Sequence, residues 1–317
     1  MKKKFLISID TEGDNLWAWK KGDTVTANNA KYLPRFQALC DKYGFKPTYL
    51  TNYEMASDDF FVSYFKPVAE EDRCEIGMHL HAWNNPPEYE LPVRTDKDPG
   101  APYLIEYPYE IMKEKIAVMT ELLTEKFGRK PVTHRAGRWA MNDDYFNLLS
   151  EYGYVCDCSY TPGKSWLGAA GQSPESAGSD YSGVSLRPFT HKSGISEVPV
   201  TVREDHRIRR NPGEGIRKYI RNHYRAMKGQ GKIWLRPDGR NLDDLIYLSD
   251  IISESPQDDY LMFMLHSSEF MPGGSPRFIT DEDIEKLYSD LEILFEHISK
   301  LYEGITIGEY AKRMKKR

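Results

Sequence analysis

Short apolar segments alternate with helical patterns along the chain, and this alternation limits the folds that it can adopt. The strand candidates are residues 4–9, 48–51, the segment that reaches His79, 132–135, 154–157, 196–201, 232–235 and 260–266. Apolar residues at helical spacing fill the intervals, most clearly at 112–127 and 281–302. Strands that alternate with helices are typical of a parallel sheet. We therefore predict an α/β fold, a distorted TIM-like (β/α) barrel of seven to eight strands, formed by a single domain over residues 1–317.

Polar side chains stand where the predicted strands end, and this is where an α/β barrel carries its chemistry. They are Asp10, Glu12, His79, His81, Arg135, Asp157, His266 and Glu269. Because side chains alternate along a strand, His79 and His81 would share one face. Two imidazoles on one face at the end of a buried strand are half of a zinc site. Two histidines that are satisfied by backbone carbonyls would give the same pattern.

The net charge, the apolar runs and the cysteines indicate the class of binding partner and the cellular compartment. The net charge of -5 gives no reason to expect nucleic acid as the principal partner. The apolar run after the N-terminal lysines is too short for a signal peptide, and no later run approaches a membrane span of about 20 residues. The four cysteines form no Cys-x-x-Cys pair, which favours reduced thiols and a cytoplasmic protein.

One segment, residues 203–232, is strongly basic, with ten Lys or Arg against three acidic residues. Within it, residues 213–228 have helical spacing. We expect Ile216, Tyr219, Ile220, His223 and Met227 to form the buried stripe of this helix. The basic face is either simply solvated or attracts an anionic glycan, a diphosphate-linked sugar or a membrane surface, in which case it makes peripheral membrane contact.

Six short motifs follow one another in a characteristic order. They are Ile-Ser-Ile-Asp-Thr-Glu (7–12), Glu-Ile-Gly-Met-His-Leu-His (75–81), His-Arg-Ala-Gly-Arg-Trp (134–139), Asp-Cys-Ser (157–159), Glu-Val-Pro-Val-Thr (197–201) and Leu-His-Ser-Ser-Glu (265–269). This series resembles the polysaccharide deacetylases of the fourth carbohydrate-esterase family, which have the NodB-type catalytic domain. Arg-Ala-Gly-Arg-Trp and His-x-His most resemble a bacterial branch of lipopolysaccharide and surface-glycan biosynthesis.

The resemblance implies a role for each residue. A divalent metal, for which the histidine-rich ligand set favours zinc, would be held by Glu12, His79 and His81. Asp10 would be the general base and His266 the general acid. Arg135 would keep Asp10 ionised, and Asp157 or Glu269 would orient His266.

Aromatic residues close to the motifs are candidates for stacking on a sugar ring, although core packing explains any one of them equally well. The substrate-binding candidates are Trp17, Trp83, Arg138 and Trp139. The sequence also departs from the usual family pattern. Thr11 separates Asp10 from Glu12, and the two histidines are two residues apart instead of four.

These features predict a metal-dependent hydrolase that removes an N-acetyl group from an amino sugar in surface-polysaccharide or lipopolysaccharide synthesis. The sugar could be free, nucleotide-linked or lipid-linked. Two alternatives stay open. One is a glycosidase with Asp10 and Glu12 as its carboxylate pair. The other is a catalytically degenerate domain of the same fold that binds glycan or scaffolds a biosynthetic complex.

Overall fold

A computed structural model describes residues 2–14, 16, 23–91, 102–167, 178–205, 207, 215–227 and 231–315, and within 215–227 it describes the side chains of 215–217, 219–221 and 224. The strands are β1 Lys3–Thr11, β2 Pro47–Thr51, β3 Glu75–Leu80, β4 Thr133–Ala136, β5 Cys156–Asp157, β6 Phe189–Thr190, β7 Ser196–Glu197, β8 Val202–Glu204, β9 Lys232–Trp234, β10 Tyr260–His266 and β11 Tyr302–Gly304.

Helices fill most of the intervals between these strands. They are α1 Leu33–Lys42, α2 Tyr53–Ser57, α3 Asp59–Glu70, α4 Tyr109–Phe127, α5 Asp143–Glu151, α6 Ile216–Met227, α7 Leu242–Glu254, α8 Asp281–Leu301 and α9 Ile307–Met314. The ends of several helices carry the side chains that such ends need. Thr280, for example, accepts a hydrogen bond from the Asp283 amide at the start of α8. Among the described residues, no helix is both long and apolar enough to cross a membrane.

The strands form a curled, largely parallel sheet in the order β10-β1-β2-β3-β4-β5-β7-β6, with β11 beside the start of β1. The seven strands from β10 to β7 are parallel, and β6 pairs antiparallel with β7. The antiparallel pair β8–β9 extends the curl, because the Leu235 amide donates to the Thr201 carbonyl oxygen and the Leu235 carbonyl oxygen accepts from the Met264 amide of β10 at 3.1 Å. The structure confirms the distorted (β/α) barrel.

Side chains that alternate along each strand point to opposite faces of the sheet, and the two faces have different surroundings. In β1, Phe5, Ile7 and Ile9 pack into the main apolar core with residues of the surrounding helices, whereas Leu6 belongs to a second, smaller apolar cluster with residues of β5 and β10. Ser8 and Asp10 share the face of Leu6 because the side-chain period of a strand is two. The inside of the barrel is therefore apolar at one level and polar towards the carboxyl ends of the strands.

Two details of the fold differ from the sequence-based expectations. The expected strand 196–201 is interrupted: β7 ends at Glu197, and β8 begins at Val202 and runs antiparallel to β9. The expected buried stripe of α6 was wrong at Ile216 and Ile220, which are each 59 % exposed. Tyr219 is half-buried, and the side chains of His223 and Met227 lie outside the described residues. Helical periodicity identifies an apolar face but does not say what covers it.

Glu75 joins four elements at the amino-terminal ends of the strands. Its carboxylate accepts from the Thr48 hydroxyl of β2 at 3.0 Å, the Thr133 hydroxyl of β4 at 2.6 Å and the Gly308 amide of α9 at 2.9 Å. Replacing Glu75 with Ala should lower the free energy of unfolding by about 2 kcal/mol, because these donors lose a charged acceptor. Denaturant unfolding measures this change. The exposed α4 residue Glu121, replaced by Ala, is the control, and an equal loss there would contradict the assignment.

Candidate active site

Three ligand atoms converge at the mouth of the barrel. Glu12 Oε2 lies 3.3 Å from His79 Nε2 and 3.1 Å from His81 Nε2, and the two imidazole nitrogens are 3.0 Å apart. Neighbouring ligand atoms of a tetrahedral zinc site with bonds of about 2.0–2.1 Å are separated by roughly 3.3 Å. All three side chains are buried, and this is the group that could hold a metal among the described residues. The donor set and its spacing fit a divalent metal such as zinc.

The register of the sheet places two of these ligands, Glu12 and His79, at the same height along their strands. Thr11 of β1 pairs with Thr51 of β2, and Thr51 pairs with Met78 of β3. One residue further along, Glu12 and His79 therefore stand at the same height. His79 is also fixed by a hydrogen bond of 2.9 Å between its Nδ1 and the Arg135 carbonyl oxygen. With Nδ1 as the donor, the lone pair of Nε2 points to the cluster, as in many metal-binding histidines.

Gly137 makes room for the second histidine. A Cβ at this position would lie 2.4 Å from the Leu80 carbonyl oxygen and 2.6 Å from Cδ2 of His81. The ring of His81 stacks on the indole of Trp83, with 4.4 Å between ring centroids and 17° between planes. The close approach of Gly137 and the stacking on Trp83 hold the imidazole in place. Its buried Nδ1 has no hydrogen-bond partner among the described residues.

Asp10 and Arg135 form a buried ion pair beside the ligand cluster, with Nη1 donating to Oδ1 at 2.5 Å. Arg135 is completely buried and also donates to Ser8 Oγ and to the Cys158 carbonyl oxygen, each at 3.0 Å. Burial acts to raise the pKa of Asp10, but Arg135, His79 and His266 outweigh it and hold this pKa below its usual value. The carboxylate is therefore ionised.

His266 faces both carboxylates from β10. Its Nε2 lies 3.7 Å from Asp10 Oδ2 and 3.9 Å from Glu12 Oε1, and its Nδ1 lies 3.1 Å from Glu269 Oε2. Arg236 donates to both carboxylate oxygens of Glu269 at 3.1 Å. Burial opposes ionisation of Glu269, yet Arg236 and His266 lower its pKa to about 2. An ionised Glu269 thus fixes the orientation of the imidazole.

Asp157 lies in a different network from the one expected for it. Its Oδ1 accepts from His134 Nδ1 at 2.6 Å and from the Ser159 hydroxyl at 2.8 Å, and His134 Nε2 is 2.8 Å from the Tyr145 hydroxyl. Burial and the charge of Asp157 raise the pKa of neighbouring Glu197 well above its usual value. Of the two acidic residues predicted to orient His266, the one in contact with it is Glu269.

The site opens into a cavity of about 140 Å³, lined by Asp10, Glu12, Leu16, His79, His81, Trp83, Ala136, Arg138, Trp139 and His266. Three of the four predicted substrate-binding residues are therefore present at its wall. The fourth, Trp17, lies outside the described residues. Trp83 and Trp139 are half-buried, while Arg138 is exposed and its guanidinium lies 5.2 Å from the centroid of the Trp83 ring.

Sequence reasoning missed two contributors to the site. Arg236 follows β9 in Trp-Leu-Arg-Pro, and its position after a strand candidate was the available signal. Asn29 supports Glu12 from the start of the first helical segment, since its amide donates to the Glu12 carbonyl oxygen at 2.8 Å and to Ser267 Oγ at 2.9 Å. No motif marks this residue, because its role depends on the tertiary fold.

Comparison with known proteins rests on structure, because no family model matches the chain and no curated protein matches its sequence. A protein of Mycobacterium smegmatis, provisionally described as a polysaccharide deacetylase, superimposes with a TM-score of 0.55 at 14 % sequence identity. The match covers 99 % of this chain and 91 % of that protein. The fold is that of the NodB-type deacetylases.

This NodB-type fold is also similar to that of two enzymes with other names. The 4-α-glucanotransferase of Thermococcus litoralis matches with a TM-score of 0.56 at 13 % identity, over 100 % of this chain but 41 % of that enzyme. A GH57-type branching enzyme of Pyrococcus horikoshii matches with a TM-score of 0.53 at 11 % identity, over 99 % of this chain and 71 % of that enzyme. The fold alone therefore does not choose the reaction, and the choice depends on the side chains of the site.

Replacing Gly137 with Ala should weaken metal binding, because the added methyl group displaces Leu80 or the ring of His81. Displacing His81 should lower the metal affinity by about ten- to a hundredfold, the range that is typical when a residue that supports a metal ligand is replaced. Competition with a chromogenic zinc chelator measures this affinity. Gly183, whose Cβ would meet nothing within 4 Å, is the matched control when replaced by Ala. Equal zinc affinity in both variants would refute the role of Gly137.

Proposed function

We propose that the chain is a metal-dependent hydrolase that removes an N-acetyl group from an amino sugar, and that it belongs to the fourth carbohydrate-esterase family. One observation carries this proposal: the ligand atoms of Glu12, His79 and His81 converge beside Asp10 and His266 in the mouth of a NodB-type barrel. This arrangement combines a metal-binding group with a candidate base and a candidate acid in one cavity.

Asp10 is the proposed general base. Glu12, His79 and His81 would hold a divalent ion, which when bound would supply Lewis-acid activation of the amide carbonyl and of the attacking water. Asp10 takes the proton of that water, and Arg135 keeps the carboxylate charged and pointing into the cavity through their contact of 2.5 Å.

His266 is the proposed general acid. The amine that leaves when the C–N bond breaks needs a proton, and Nε2 of His266 faces the cavity near Asp10 and Glu12. Glu269 Oε2 and Arg236 Nη2 each lie 3.1 Å from Nδ1 on the opposite side of the ring, and Arg236 also donates to Glu269. This chain of contacts keeps the ring oriented while its proton is transferred to the nitrogen.

The contacts of the two carboxylates argue against a glycosidase. A glycosidase needs one carboxyl group that stays protonated as its acid. Here Asp10 contacts the guanidinium of Arg135, and Glu12 contacts the Nε2 atoms of two histidines. Both environments favour carboxylates. A glycosidase would also leave the histidine pair without a role.

The indole rings at the cavity wall are already in contact with other side chains, Trp83 with His81 and Arg138 and Trp139 with Arg135 and Trp166, so the support for a sugar substrate is the resemblance of the motifs. The resemblance of the Arg-Ala-Gly-Arg-Trp and His-x-His motifs supports a role in surface-polysaccharide or lipopolysaccharide biosynthesis. The glycan-binding or scaffolding alternative predicts no turnover, and the experiment below separates it from the hydrolase.

The test is metal content and acetate release of the purified protein. We expect near-stoichiometric zinc and metal-dependent release of acetate from N-acetylated amino sugars, with both lost in the Glu12→Ala and His81→Ala variants. The matched control is His297→Ala, since His297 pairs with Asp250 at 2.6 Å on the outer helices. Circular dichroism verifies that each variant is folded. Bound zinc without any acetate release would favour the binding domain, and no bound metal would refute the hydrolase.

We also propose that α6 makes peripheral contact with anionic membranes. Ile216, Ile220 and Tyr224 lie four residues apart on one row of the helix and are 59 %, 59 % and 51 % exposed. Arg217 and Arg221 are exposed on the adjacent row. An exposed apolar row beside basic residues suits the interface of an anionic lipid bilayer. Such contact would bring the enzyme to a lipid-linked sugar.

Replacing Ile220 with Asp should reduce binding to vesicles that contain phosphatidylserine by about tenfold or more, since a buried isoleucine contributes roughly 1.5–3 kcal/mol. Vesicle co-sedimentation measures the binding, and vesicles of phosphatidylcholine alone test the need for negative charge. Ile293→Asp is the control, because Ile293 is also exposed, at 48 %, but lies on α8. Binding that survives in the Ile220 variant, or that is equal on neutral vesicles, would contradict this proposal.

A further inference from the structure

The charges around the cavity are balanced except at one residue. Asp10 pairs with Arg135, and Glu269 pairs with Arg236. Glu12 faces the two histidines of the metal-binding group. Arg138 also lines the cavity, but it forms no ion pair with any residue in the part of the chain that the structure describes. Its guanidinium is therefore free to bind an anion.

The backbone directs Arg138 to this place. Arg138 and Trp139 have φ values of 53° and 64°, the left-handed region that non-glycine residues seldom adopt. Both belong to the tight turn Gly137–Trp139 that directly follows β4. The Tyr181 hydroxyl donates to the Trp139 carbonyl oxygen and holds the turn in this shape. Two consecutive residues in this region cost free energy, and such strain is characteristic of ligand-binding sites.

The indole of Trp83 connects Arg138 with the metal-binding group. The His81 ring stacks on Trp83 at 4.4 Å, and Trp83 in turn carries the Arg138 guanidinium at 5.2 Å. A planar guanidinium over an indole keeps its edge, with the N–H donors, available for a carboxylate or a phosphate. The guanidinium of Arg138 thus contacts the same indole as His81, one of the candidate metal ligands.

A second cation, Lys164, lies close to the aromatic side chains that contact Trp139. Lys164 Nζ lies 4.0 Å from the centroid of the Trp234 ring, and it too forms no ion pair within the described residues. Trp234 contacts Trp139, the neighbour of Arg138, at 6.3 Å between ring centroids. Burial lowers the pKa of Lys164, and the charges of Arg236, Lys232 and Arg277 add to this effect.

We propose that Arg138 binds an anionic group, a carboxylate or a phosphate, on the sugar whose N-acetyl group is removed. This inference rests on the proposed deacetylase function and narrows its substrate to N-acetylated sugars with a negative charge. A uronic acid and a glycosyl phosphate both supply oxygen atoms that match the paired N–H donors of an arginine. Neutral N-acetylated sugars should bind more weakly.

The test compares three probes on the zinc-loaded full chain: N-acetylglucosamine, N-acetylglucosaminuronic acid and N-acetylglucosamine 1-phosphate. Calorimetric titration measures each dissociation constant, so that binding is followed independently of turnover. At least one anionic probe should bind about ten- to a hundredfold more tightly than the neutral one, as expected for a charged hydrogen-bonded pair. This preference should decrease as salt is added. The probe with the larger gain identifies carboxylate or phosphate as the source of the charge.

Replacing Arg138 with Gln should abolish the preference, because it weakens the binding of the anionic probes more than that of the neutral sugar, and Arg138→Lys should retain part of the preference. Arg35→Gln is the control, because Arg35 is also exposed but pairs with Glu285 on the outer helices. Equal binding of the three probes, no binding of any, or an equal loss for all three in the Arg138→Gln variant would overturn the inference. Anionic preference without acetate release would keep the Arg138 site and refute the hydrolase. Acetate release without anionic preference would keep the hydrolase and refute the Arg138 site.

Discussion

The buried guanidinium of Arg135 is the interaction on which the rest of the site depends. From β4 it reaches Asp10 and Ser8 of β1, the Cys158 carbonyl oxygen just after β5 and the Met262 sulfur of β10. A buried charge is tolerated only where it is paired and its donors are satisfied. Here these conditions also fix the position of the proposed base. The carbonyl oxygen of the same residue orients His79, so that Arg135 connects the proton-transfer group with the metal-binding group.

Proteins described as a polysaccharide deacetylase, a glucanotransferase and a branching enzyme share this fold, so the reaction must be inferred from the side chains at the mouth of the barrel. In this chain the two carboxylates have distinct surroundings, although they are only two residues apart. Asp10 is held by a permanent cation, and Glu12 by imidazole nitrogens that can share a metal with it. The environment, and not the residue type, distinguishes the proposed base from the proposed ligand.

Much of this arrangement could be predicted from the sequence. The strands are strongly apolar, and they end in polar residues whose shared face follows from the period of two. Partners that depend on tertiary contacts could not be predicted. Nothing local says that Glu269 rather than Asp157 meets His266, or that Arg236 joins them from β9. The exposure of α6 escaped prediction for a related reason, because periodicity describes a helix and not its neighbours.

The spacing of the two histidines also has a consequence for folding. His79 and His81 point inwards only because Met78 and Leu80 point outwards into the apolar core. A slip of β3 by one residue would exchange these faces, placing two imidazoles among the helices and two apolar side chains at the mouth of the barrel. Because the candidate ligands stand on alternate residues of β3, only the correct register of this strand allows metal binding and core packing together. A chain that pairs β3 incorrectly loses its coordinating groups and its apolar packing in the same step.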